Sequence, residues 1–506
     1  MEFFSILGDN VALGLATALT PEHLFYCALG VFLGTLAGVI PGIGTLAAMS
    51  LLFPLTFYLS PTAALVMLAG IYYGTTYGGS TTSILLNLPG TPSAAVACID
   101  GHPMASQGRA GVALLITTIA SFVGATVGIL LMMLFSPMIV SVALQFGPTE
   151  YFSLMALGLI VAATMSNESP LKGLAMILVG IIVGLVGLDI YTGAGRFTFS
   201  SPTLYDGISI VALAMGLFGV SQIIGSIRSA ESKVSNIQKI TIRSMLPTLT
   251  ECRQSVKPLF RGAGIGSFFG ALPGSGGTIA SFVAYATEKK ISKTPERFGH
   301  GAIEGLASPE SANNAADQTA FIPTMALGIP GTASMAMMLG VLMIHGISPG
   351  PSLMSNSPDL FWGLIMSFWI GNLLLLLINI PMIGLWVNLL RTPYQYLYPG
   401  ILMFICLGTY SVSNSTIDLW LVILFGLAGY ALLRLNFTLP PLLLGFVLGP
   451  LMEENFRRAM LYSRGDLSTF VTHPISGSFL GLAVAILATS FYLSARRKRL
   501  KEAPAP

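Results

Sequence analysis

Residues 34–44 read GTLAGVIPGIG, and residues 266–276 read GSFFGALPGSG. Gly34, Gly38, Pro41, Gly42 and Gly44 return as Gly266, Gly270, Pro273, Gly274 and Gly276, all shifted by 232 positions. A second echo follows each copy: LNLPGT (86–91) returns as LGIPGT (327–332), shifted by 241. Gly and Pro breaks repeated in corresponding apolar segments point to the substrate site of a membrane transporter. They predict two inverted-topology repeats, each with a re-entrant hairpin and a broken helix.

The composition fits. Of 506 residues, 54% are hydrophobic and 9% charged, against roughly a quarter charged in a soluble protein. Runs such as 111–135, 171–188, 364–388 and 476–494 have the ~20-residue length of a bilayer-spanning helix. They lack the two-residue alternation of a membrane barrel. The expected fold is therefore an all-α polytopic membrane protein, with about eleven crossings plus two hairpins. The start, MEFFSILGDN, lacks the basic flank of a signal peptide, and 3–18 reads as a short surface helix. Cys27, Cys98, Cys252 and Cys406 fit no metal spacing and read as small apolar residues. No basic patch suggests nucleic acid.

Charge placement sets the expected topology. The stretch 226–261 carries Arg228, Lys233, Lys239, Arg243, Arg253, Lys257 and Arg261, so it reads as cytoplasmic, as does the basic tail 495–501. The expected organisation is a first transmembrane repeat at 1–228, a cytoplasmic linker at 229–260, a second repeat at 261–460, and a final helix and basic tail at 461–506. Segment 262–287 is apolar but basic on both flanks, so it must turn back within the membrane, at PGSGG (273–277). Its counterpart 30–57 turns at PGIG (41–44) with nearly no basic flanks, as expected for a hairpin inserted from the other side. Residues 62–97 and 300–345 read as crossings made of broken pieces. On this count Arg457, Arg458 and Arg464 fall outside, against the positive-inside rule: either they face acidic partners such as Glu453 and Glu454, or the count of crossings is off by one here.

A half-helix ending at mid-depth leaves unpaired N–H groups and a partial positive charge at its N-terminus. Such an end can hold an anion without a buried cation. The hairpin tips therefore supply the first candidates: Pro41, Gly42, Gly44, Thr45, Gly274, Ser275, Gly276, Gly277 and Thr278. The broken crossings add Ser80, Thr81, Asn87, Gly90, Thr91, Asn313, Asn314, Gly331 and Thr332, which offer donors and acceptors. Hydroxyls and amides also glue membrane helices together. Glu310 and Asp317 are carboxylates in an apolar neighbourhood and are candidates for ion coupling; Asp317 is equally compatible with the membrane edge. His102 and His300, each beside Gly in a polar loop, read as interfacial. No GxSxG signature with a placed His and Asp suggests a hydrolase, and no metal site is expected beyond a transported Na⁺.

GTLAGVIPGIG, YGGSTTSILLNLPGTPSA, DGHPMASQGRAG (100–111), PESANNAA (309–316), LGIPGT and LGPLMEENFRRAM (448–460) closely resemble the large membrane subunit of tripartite tricarboxylate transporters. The likeness covers nearly the whole chain. It implies import of a di- or tricarboxylate such as citrate or tartrate across the bacterial inner membrane, driven by an ion gradient without ATP. It implies two partners: a small membrane subunit of about four helices and a periplasmic solute-binding protein. The family's motifs carry over to Pro41, Gly42, Gly44, Asn87, Pro89, Gly90, Thr91, Pro273, Gly274, Gly276, Asn313, Asn314, Pro330, Gly331 and Thr332. The resulting expectation is a secondary active importer with no cofactor, coupled to Na⁺ or H⁺, with room for a homo-oligomer and a mobile unit built from the hairpins and broken crossings. A channel with re-entrant selectivity loops is the alternative.

Overall fold

The computed structural model describes residues 2–40, 43–164, 169–189, 191–226, 242–272, 276–389 and 394–502. It is all-helical apart from a two-residue hairpin pairing 187–188 with 195–196. The first half builds α1 (Glu2–Ala18), α2 (Pro21–Val39), α3 (Thr45–Leu52), α4 (Pro61–Leu86), α5 (Ala97–Met104), α6 (Ala110–Ala143), α7 (Pro148–Thr164) and α8 (Pro170–Gly184). The second builds α9 (Leu249–Ala271), α10 (Gly276–Ile291), α11 (Glu304–Thr319), α12 (Phe321–Leu327), α13 (Ala333–Ile344) and α14 (Pro358–Asn379). Helices α15 (Tyr394–Ser413), α16 (Thr416–Arg434), α17 (Pro440–Tyr462) and α18 (Pro474–Glu502) follow. Among the described residues, five stretches are long and apolar enough to cross a bilayer alone: α2, Pro92–Ala143, α14, α16 and Pro474–Ser494. Six shorter apolar helices of 10–17 residues accompany them.

The helices begin where the sequence supplies caps. Thr20 and Ser60 accept from the backbone N–H groups of His23 and Ala63, each with a proline at the first helical position, where its missing N–H costs nothing. Thr248 and Glu251 form a reciprocal capping box for α9. This helix starts well before the apolar segment, so Arg253, Lys257 and Arg261 stand on its early turns.

Glycine contacts fix the helix directions. A side chain at Gly30, Gly34 or Gly38 on α2 would overlap the backbone of Met67, Ile71 or Thr75 on α4. Both series climb by four residues together, so α2 and α4 run parallel in backbone contact. On α9, Gly262, Gly266 and Gly270 meet Ser308, Ala312 and Ala316 of α11 in the same way. These contacts are the first set displaced by 232 on one helix and 241 on the other. Because each pair runs parallel, the chain between its two helices must travel back, and α3 and α10 lie on those return segments.

Helices α4 and α11 form the centre. Residues Thr62–Leu85 and Gly305–Thr319 are buried without interruption. Tyr72 and Thr76 reach Asp317, whereas Ser80, later on α4, reaches Glu310, earlier on α11. The two central helices are therefore antiparallel. Helix α6 runs parallel to α11, with Gly124 against Ser311 and Gly128 against Ala315.

At the end nearest the linker, Asp100 is fully buried. Its carboxylate accepts from the N–H groups of Gly299 (2.9 Å), Gly301 (2.8 Å) and Ala302 (2.8 Å) and from the Tyr285 hydroxyl (2.9 Å). Arg109 pairs with Glu251 nearby. Together these contacts tie the first half to the second.

At the opposite end, Arg457 pairs with Asp189 (2.8 Å) and Glu453 (2.6 Å). Arg196 reaches the same two carboxylates at 3.3 and 2.8 Å, and Arg458 pairs with Glu454 at 2.5 Å. Arg457 and Arg458 thus do face acidic partners. The Thr192 N–H holds the Asp189 carboxyl well below the usual carboxylate range, against a push from burial and with help from the Tyr191 N–H and Arg457. Asp189 is only 4% exposed, but at the rim of the molecule its desolvation is the weaker influence. A depressed folded pKa contributes stability that is complete above the unfolded value of ~3.9 and fades below it. The loop 187–196 should therefore keep its hydrogen-exchange protection down to pH ~4.5. Asp189→Asn should strip that protection at neutral pH; equal protection in parent and variant would show that the latch does not hold the loop.

Candidate functional site

The two helix interruptions have one geometry. Helix α4 ends on Asn87 at φ 55°, and α12 ends on Gly328 at φ 71°, both left-handed C-caps. Each is followed by Pro-Gly-Thr. Thr91 and Thr332 then start the next helix from matching extended conformations, φ −135° and −144°. Asn87 is exposed, so it serves as a helix stop here. Gly90 and Gly331 are buried, and Gly90 lies against Gly79 and the Gly38 carbonyl.

The first tip falls after Val39. Pro41 and Gly42 lie outside the described residues, as do Pro273, Gly274 and Ser275 of the second tip. Thr82 donates to the Val39 carbonyl at 2.8 Å, satisfying an end carbonyl of α2. Gly44 borders the Gln222 side chain, and Thr45, at the head of α3, bonds Thr75 at 2.8 Å. Thr81 is buried on α4.

The second tip is the head of α10. Gly276 (φ 58°) stands beside Thr332, and Gly277 lies against Asn313 and the Asp317 carboxylate. Thr278 is half-buried one residue on. Asp317 accepts from the Tyr72 and Thr76 hydroxyls, each at 2.8 Å. It is 5% exposed and packed among α4, α10 and α11. A carboxylate of the chain itself, Asp317, stands at that helix end.

Helix α4 joins the two tips. Thr75 touches the first tip and Thr76, its neighbour, touches the second through Asp317. Thr75, Thr76 and Tyr72 were not among the expected site residues. The one sequence cue was the repeat offset, since Thr76 is displaced by 241 from Asp317; the hydroxyls themselves lie in a hydroxyl-rich run, GTTYGGSTTS (74–83), and do not stand out.

Two turns along α11, Glu310 takes the Ser80 hydroxyl at 2.9 Å. Asn314 donates to Ser121 (2.8 Å), the Glu310 carbonyl (3.0 Å) and the Asn313 side-chain oxygen (2.6 Å). The Asn313 amide nitrogen, the Asn314 amide oxygen and the Gln318 oxygen are buried without a hydrogen-bond partner. Neither Glu310 nor Asp317 has an ion pair with Lys or Arg among the described residues. His102 and His345 bond the backbone carbonyls of Ile84 and Thr56.

Burying a carboxylate without a cationic partner costs several kcal/mol. Two such groups on one helix face, flanked by hydroxyls and unsatisfied amides, suit a cargo that brings both positive charge and polar atoms.

The description "Tripartite tricarboxylate transporter TctA family" matches residues 24–444. An uncharacterized 52.8 kDa protein of Agrobacterium vitis, described as lying in the TAR-I ttuC' 3' region, is 48% identical over 97% of this chain and 98% of its own. A second uncharacterized A. vitis protein, from the TAR-II ttuC' 3' region, is 53% identical over 46% of this chain and 97% of its own length. No solved structure matches.

Proposed function

This chain belongs to the tripartite tricarboxylate transporter TctA family, and from that membership we propose that it is the permease subunit of an ion-gradient-driven importer of small di- and tricarboxylates. Its partners are then a small membrane subunit and a periplasmic binding protein. It sits in the bacterial inner membrane with the linker and the C-terminus in the cytoplasm. The two halves are inverted-topology repeats, a reading supported by the parallel pairs α2/α4 and α9/α11 and by the opposed directions of α4 and α11.

One observation carries the mechanism: Asp317 sits uncompensated at the head of the half-helix α10. While Asp317 is charged, it occupies the favourable end of the dipole and repels a second anion. A proton or Na⁺ arriving at Asp317, through Tyr72 and Thr76, cancels that charge and opens the helix end to a substrate carboxylate. Without the ion the substrate is repelled, and this is the coupling. Glu310 with Ser80 forms a second carboxylate station of the same kind. The paired tips then move together between the two sides of the membrane.

The test is citrate uptake by cells carrying all three components. Uptake should saturate, require either a Na⁺ or a pH gradient, and stop when that gradient is collapsed with ATP intact. Uptake that persists without either gradient would sink the coupled-importer reading.

A further inference from the structure

We propose that a cavity at the end of the molecule away from the linker is a second, outer binding station for the transported carboxylate, held there by Arg458. This inference rests on the importer reading above. The cavity encloses about 640 Å³, within the ~300–1,000 Å³ of small-molecule sites. Its walls are the junction of α6 and α7, the loop at 346–352 and the last turns of α17. None of the tip residues lines it, so it is separate from the Asp317 site.

Its location follows from helix direction. Helix α6 starts beside the linker-end residue Ser244, against which Gly111 packs, and its far end, Ala143, lines the cavity. The linker end carries the buried Asp100 clasp. The cavity thus lies at the end away from the linker, which on the importer reading is the end an imported solute meets first.

The chemistry lies on α17. Arg457 and Arg458 are neighbours with different tasks. Arg457 is committed to Asp189 and Glu453 in the loop latch. Arg458 lines the cavity with Glu454 and Asn455, and among the described residues it pairs with Glu454. A guanidinium has five N–H donors in a fork matched to carboxylates, and one carboxylate takes two. With 55% of its side chain exposed, Arg458 has donors for a ligand carboxylate, and Glu454 is the group that ligand displaces. The floor is Leu327 and Gly328, the left-handed end of α12. Thr332, four residues on, already touches the second tip. A carboxylate released from Arg458 meets the broken crossing next.

The experiment uses the full chain in lipid nanodiscs, with labelled citrate as the probe, by equilibrium dialysis. The parent should show two classes of site. Arg458→Gln should weaken one class at least tenfold, Arg458→Lys should restore part of it, and Glu454→Gln should tighten it several-fold. Asn314→Ala should leave that class untouched. An Arg458→Gln isotherm identical to the parent would overturn the outer station, and so would a Glu454→Gln loss as large as that of Arg458→Gln, which would mark the pair as merely structural. The two readings fail separately. Cells that take up no carboxylate, with Arg458-dependent citrate binding intact, would sink the importer and leave Arg458 as a carboxylate-binding site without a transport role. Saturable coupled uptake unaffected by Arg458→Gln would keep the importer and sink the station.

Discussion

Asp317→Ala is expected to cut carboxylate uptake by about 100-fold or more while the chain still reaches the membrane. The carboxylate holds two hydroxyl donors at 2.8 Å, Tyr72 and Thr76, inside a region closed to water. Hydrogen bonds to a charged group are worth ~1.5–3 kcal/mol each, and ~2.7 kcal/mol is a hundredfold change. The loss should fall mainly on the rate of gradient-driven uptake, because the ion has lost its seat. Asp317→Asn separates two mechanisms. It keeps the size and removes the charge, with one oxygen left to accept a hydroxyl and an NH2 that must donate to the other. With proton coupling, the variant should still exchange citrate for citrate but no longer accumulate it; with Na⁺ coupling, exchange should fall as well. Membrane abundance measured alongside distinguishes transport from folding. Parent-level uptake by Asp317→Ala would remove this residue from the mechanism.

Gly266→Leu is expected to prevent assembly altogether. A β-carbon there overlaps the Ala312 backbone, and the same holds for Gly34 against Ile71 in the other half. Overpacking a side chain into a core costs ~1–3 kcal/mol when neighbours can adjust. A backbone carbonyl inside a buried helix cannot adjust, so α9 must separate from α11. The measurement is the monodisperse peak of a fluorescent fusion in detergent. Gly264→Leu is the control, since nothing lies within 4 Å of that position on the same helix. If both variants run like the parent, the close helix contact is not what holds the unit together.

Much of this architecture was legible because backbone breaks are written in residue types. Pro-Gly-Thr runs in apolar segments marked both interruptions, which follow the left-handed caps Asn87 and Gly328. Asn313, Asn314, Glu310 and Asp317 stood out because polar residues are costly in lipid. Which of them face one another was not legible. Thr75 and Thr76 read as ordinary helix hydroxyls, since only the antiparallel packing of α4 on α11 gives them partners. The glycine contacts were readable in part: 30/34/38, 70/74/78 and 262/266/270 are four-residue glycine spacings suited to close helix approach. Asp100 was hidden for another reason. Its role depends on three backbone N–H groups some 200 positions away, and backbone leaves no mark in composition.

The unbroken burial of α11 has a consequence for biogenesis. A segment carrying Glu310, Asn313, Asn314, Asp317 and Gln318 does not partition from the translocon into lipid unaided, since an acidic residue at mid-helix costs ~2.5–3.5 kcal/mol. Its neighbours α4 and α6 are synthesised earlier and supply the hydroxyls and small residues that receive it. Insertion of the second half is thus templated by the first, and the order of the halves along the chain becomes part of how the protein is made.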